Sequence, residues 1–168
     1  LMRVNALQQA GGYRDDLIAG EEPELCVRLR QTGWRIHRLD AEMTLHDAAM
    51  FRFAQWWSRS KRAGHAFAEG AWLHGALPER HWVVPTLRAL IWGVFLPVVS
   101  LLLAVVLSPW LLTLLMLYPI QVWRLSRLPG GWTRALFLVL GKFAEASGAL
   151  RFYARLLLGR QGRLIEYK

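Results

Sequence analysis

Between Ala89 and Trp123 the chain runs for about 35 residues without a charged side chain. One helical crossing of a bilayer needs only about 20 apolar residues, so the run is too long for a single span. Pro97, Pro109 and Pro119 interrupt it, and Ser108-Pro109-Trp110 is its natural reversal. The expectation is a transmembrane hairpin over 82–124, with spans of about Thr86 to Leu107 and Trp110 to Trp123. Lys61, Arg62, Arg80 and Arg88 precede the run and Arg124, Arg127 and Arg134 follow it. By the positive-inside rule, both flanks then face the cytoplasm from the inner (plasma) membrane. Trp82, Trp92, Trp110, Tyr118 and Trp123 lie near the ends, where indole and phenol rings anchor at the interface. With no ionisable group inside, the spans show no transport pathway, and anchoring is the role they suit.

Composition agrees with a membrane setting. Of the 168 residues 54% are hydrophobic and nine are Trp, which is unlike a simple soluble domain. The net charge of +9 suits an acidic partner. So apolar a chain favours membrane lipids or a phosphorylated substrate over nucleic acid. Cys26 is the sole cysteine, which excludes an internal disulfide, and its place on a predicted helix favours packing over chemistry.

The densest chemistry lies in Gly20-Glu21-Glu22-Pro23-Glu24-Leu25. Proline fits the first helical position, which makes Glu22 the N-cap of a helix of about three turns ending near Gly33. Glu21 and Glu22 then lie where the helix dipole favours negative charge, and either can serve as a base or simply cap the helix.

Upstream, Leu1 to Asn5 reads as a strand end and Ala6 to Ala10 as a short helix stopped by Gly11-Gly12. Downstream, Trp34 to Leu39 and Met43 to Leu45 read as two short strands. Asp40-Ala41-Glu42 is the turn between them.

The ordered series Gly11-Gly12-Tyr13, Asp15 to Leu25, Arg28-Leu29-Arg30 and Gly33-Trp34-Arg35-Ile36 resembles the second half of a family 2 glycosyltransferase domain of the GT-A fold. The likeness is close over about the first 50 residues. It implies an α/β fold, the C-terminal half of a GT-A type domain over 1–50, followed by an α-helical membrane region. It also implies an inverting, membrane-anchored enzyme that moves a sugar from a nucleotide-sugar donor to a hydroxyl of a lipid-linked or saccharide acceptor, in cell-envelope or exopolysaccharide synthesis. The family's base carries over to Glu22, with Glu21 beside it. A divalent metal, Mg or Mn, is implied too. It would be held mostly by a donor-binding half expected before Leu1, with His46 as a candidate ligand in this chain. The alternative is a non-catalytic membrane module, or an accessory subunit that binds lipid or a partner glycosyltransferase.

The region 51–81 reads as an amphipathic interfacial helix. At 100° per residue Arg52, Gln55, Arg59 and Arg62 fall within about 80° of one another, a cationic stripe bordered by Trp56. The segment resembles the QxxRW motif of cellulose and hyaluronan synthases, except that its tryptophans precede the arginine. Gln55, Trp56, Arg59 and Arg62 are the candidates to hold the acceptor or the diphosphate. The same side chains also suit lipid headgroups and their apolar boundary. Over 132–158, charged and apolar positions segregate to opposite faces, which predicts an amphipathic helix on the cytoplasmic leaflet. A basic tail, 159–168, completes the chain.

Overall fold

The computed structural model describes residues 2–37, 40 and 50–159. Among them the regular structure is helical throughout: α1 (Val4–Gln9), α2 (Glu21–Gln31), α3 (Phe53–His74), α4 (Val83–Leu90), α5 (Leu96–Val106), α6 (Leu117–Ser126) and α7 (Gly131–Leu157). A π turn, Ile91–Phe95, joins α4 to α5, and a 3₁₀ segment, Pro109–Met116, leads into α6.

The expected α/β fold is therefore corrected, since no strand occurs among the described residues. Val4 and Asn5, expected in a strand end, begin α1. The described part of the 34–39 segment forms no ladder, and a strand without a partner is not stable. Its Trp34 serves the helices instead. The Trp34 and Gly33 amides donate to the Leu29 and Arg30 carbonyls at 2.9 Å each, a Schellman closure that needs Gly33 at φ +87°. The indole then packs on Ala6, Ala10, Leu25 and Leu29, the core between α1 and α2. It also donates to Gln9 at 2.9 Å. The second expected strand, Met43 to Leu45, lies outside the described residues, as does His46.

α7 is the spine on which α3, α4 and α6 all pack. Its closest approach is to α3, where glycine on each side removes the side chain that would block it. A Cβ on Gly64 would overlap the Glu145 carbonyl, and one on Gly148 would overlap that of Lys61. Ala68, Ala149 and Phe152 close the contact beyond this crossing. Such small-residue faces let two helix backbones meet and gather dispersion contacts along their length.

Val83–Val106 is continuous through the π turn, 24 residues in all, and is the one helix among the described residues long and apolar enough to cross a membrane. Phe95, Leu101 and Val105 on it face outward. Pro97 has no amide to give the Gly93 carbonyl, and the helix widens to its π turn just before it. The chain reverses at Ser108, in extended conformation (φ −166°, ψ 136°), and the following 3₁₀ segment packs back against α5. The second expected span, Trp110 to Trp123, is not one α-helix. Pro119 cannot donate to the Leu115 carbonyl, so regular α bonding begins only at Leu117. The Tyr118 hydroxyl bonds the Trp92 carbonyl and ties the two arms together.

Candidate functional site

Gly20 sets the geometry of the acidic cluster. It is the N-cap of α2 at φ +91°, and a Cβ there would come within 2.7 Å of the Trp82 ring. Both the conformation and the space require glycine. The helix thus starts at Glu21, two residues earlier than Pro23 as first helical residue would place it. Pro23 is tolerated because first-turn amides have no intrahelical acceptor.

The three carboxylates part company. Glu24 is 1% exposed and belongs to the structure. Arg28, one turn on, grips it with Nε–Oε1 and Nη2–Oε2 contacts of 2.9 and 2.7 Å, and His74 Nε2 lies 2.9 Å from Oε1. Arg28 also donates to the Ala10 and Gly12 carbonyls, so one network joins α1, α2 and the end of α3. Burial pushes the Glu24 carboxyl up, but Arg28 and His74 together outweigh it and hold it below the usual range. Glu21 is half-buried and Glu22 exposed, and neither forms an ion pair among the described residues.

The residues singled out on α3 take separate tasks. Gln55 caps the helix, its Oε1 accepting from the Arg52 amide at 3.2 Å. Trp56 packs edge-on against Phe137 of α7 and beside Phe53. Arg59 is exposed near the Met50 sulfur. Arg62 donates twice to the Ile18 carbonyl, at 3.2 and 3.0 Å, and so clamps the loop that leads into Glu21. Of the proposed acceptor or diphosphate set, Arg62 is the member tied to the acidic segment.

A second polar cluster escaped the sequence reading. His65 and Glu69, one turn apart on α3, face Arg155 of α7 across a cavity of about 400 Å³ that Arg14, Asp16 and Trp72 also line. Arg14 and Asp16 are closed on each other at 2.6 Å. Glu69 Oε2 is 3.9 Å from His65 Nε2. Burial, with the nearby charges of Asp16 and Glu21, pushes the Glu69 carboxyl up to about 7, although the Ile18 amide and Arg14 pull the other way. Burial and the cations Arg155 and Arg151 push His65 down to about 4, so its ring is neutral at pH 7. The signal in the sequence was a lone carboxylate inside the small, apolar run Ala66 to Ala71.

No group of three or more His, Cys, Asp or Glu side chains among the described residues is placed to hold a metal ion. His46, the candidate ligand for the implied divalent ion, lies outside the described residues. Compared with protein-family models, with curated proteins and with solved structures, the chain matches none.

Proposed function

We propose that the chain is the membrane-anchored part of an inverting glycosyltransferase in which Glu22 is the base. The observation that carries the reading is the division of labour in the acidic cluster. Glu24 is committed to Arg28 and His74, while Glu22 is presented to solvent on the first turn of a helix whose entry loop is clamped by Arg62 and fitted under Trp82. A carboxylate so placed is held in position and kept accessible, as a general base must be.

In the reaction, the Glu22 carboxylate takes the proton of an acceptor hydroxyl. The oxygen attacks the anomeric carbon of the donor sugar, and the bond to the nucleotide diphosphate breaks with its electron pair leaving on the diphosphate. Attack opposite the leaving group inverts the anomeric centre. Arg59, exposed on α3 and in no ion pair among the described residues, is the cation offered to a diphosphate; Arg62 contributes by fixing the loop. The apolar helix Val83–Val106 anchors the assembly, and Arg88 and Arg124 line one cavity, which favours both basic flanks on the same, cytoplasmic face of the plasma membrane.

The test is transfer from labelled nucleotide sugars to extracted membrane lipids and saccharides, using membranes that express the complete reading frame containing this chain. A labelled product with inverted anomeric configuration supports the reading. No product from any donor leaves the alternative, a membrane module whose Glu21 and Glu22 only cap a helix.

A further inference from the structure

The cavity between α3 and α7 is built for an occupant, and the case does not depend on Glu22. Two atoms in it, Glu69 Oε2 and Arg155 Nη1, are buried with no hydrogen-bond partner among the described residues. Buried polar atoms are rarely left unpaired, because the lost hydration is not regained. Two of them lining one cavity point to polar groups supplied from outside.

The surrounding charge says which groups. Through His65 and Arg155 the cavity adjoins a smaller one of about 40 Å³, lined by Ser58, Lys61, Arg62 and Arg151. Arg62 is engaged with the Ile18 carbonyl, but Lys61, Arg151 and Arg155 form no ion pair among the described residues. Three cations lining this smaller cavity, which has no acidic residue in its wall, suit a multiply charged oxyanion. On the other side, a neutral His65 and a carboxyl poised to donate or accept suit hydroxyl groups. Trp72, 62% exposed at the wall, offers a flat apolar face. We propose that this cavity binds a phosphorylated polyol, its phosphate against Lys61, Arg151 and Arg155 and its hydroxyls on Glu69 and His65.

Such a ligand has two sources. A Cβ on Gly70, next to Glu69, would come within 2.6 Å of the Trp82 ring at the N-cap of the apolar helix, so α3 beside the cavity abuts one end of that helix. A lipid headgroup or a soluble sugar phosphate could reach it there.

The experiment uses the full chain in detergent micelles. Calorimetry measures glucose 1-phosphate against inorganic phosphate and glucose, and native mass spectrometry measures phosphatidylinositol against phosphatidic acid. At least one phosphorylated polyol should bind about 10-fold more tightly than its polyol-free counterpart, and the one that binds identifies the source. Glu69→Gln, Arg155→Gln and the solvent-exposed Arg151→Gln should each weaken it about 10-fold, while Arg35→Gln, equal in charge change but elsewhere, should not. Arg151→Gln keeps the test decisive should a buried substitution unfold the chain. Equal affinity for inorganic phosphate, no binding of any probe, or indifference to Arg151→Gln would overturn the proposal.

Discussion

Replacing Glu69 by Gln should change how stability depends on pH more than it changes stability itself. In the folded chain the Glu69 carboxyl keeps its proton up to about 7, against 4.5 when unfolded. Its contribution is fully present below 4.5 and is lost as the pH rises through 7. His65 does the opposite. Its folded value is about 4 against 6.5, so its contribution is present above 6.5 and is lost as the pH falls through 4. Between about 4.5 and 6.5 the folded state holds one proton on Glu69 and the unfolded state one on His65. The proton counts match and the two slopes cancel. Each shift corresponds to about 3 kcal/mol at most. Glu69→Gln removes one side of this balance. Stability of the variant, relative to the unsubstituted chain, should climb by up to about 3 kcal/mol from pH 4.5 to 7. Tryptophan-monitored unfolding in detergent, at half-unit steps of pH, measures the difference between the two curves. Curves that stay parallel over that range would refute the burial argument for Glu69.

Two further predictions concern the frame that carries the site. Glu24→Gln should cost about 3 kcal/mol and loosen α1, α2 and the end of α3 together, because it leaves the half-buried Arg28 without its counter-ion; hydrogen exchange should show all three losing protection. If only α2 responds, the network is not what joins them. Gly148→Ala should separate α7 from α3 and cost about 2 kcal/mol or more, since its methyl meets backbone that cannot turn aside; a variant as stable as the parent, by the same unfolding assay, would show that the crossing can slide.

What the sequence disclosed depended on the range of the interactions. The apolar run, the reversal at Ser108 and the glycine stop at Gly33 are local, and each is visible in composition or in one residue's allowed φ. The start of α2 was displaced by two residues because proline is compatible with several first-turn positions, whereas the deciding contact, Gly20 under Trp82, joins distant parts of the chain. The strand expected at Trp34 failed for a related reason. Two alternating apolar residues, Trp34 and Ile36, fit a strand or an irregular segment equally well, and only the pocket between α1 and α2 decides where the indole goes. Pro119 was read as a mere interruption of a span, yet its missing amide changes the type of helix before it. The α3–α7 cavity was hidden altogether, since His65 and Glu69 acquire meaning only when Arg155 is folded against them. Glu24 was partly legible: its Arg28 partner stands one turn away, but nothing local shows that the pair is buried or that His74 completes it.

Whether Glu22 takes the acceptor proton is decided by comparing Glu22→Gln with Glu21→Gln for kcat and KM in the complete reading frame. Removal of the base should lower kcat by at least about 100-fold for Glu22→Gln with KM little changed, while Glu21→Gln keeps most of its activity. Transfer at an undiminished rate by Glu22→Gln would remove Glu22 as the base and leave the acidic cluster as the cap of α2.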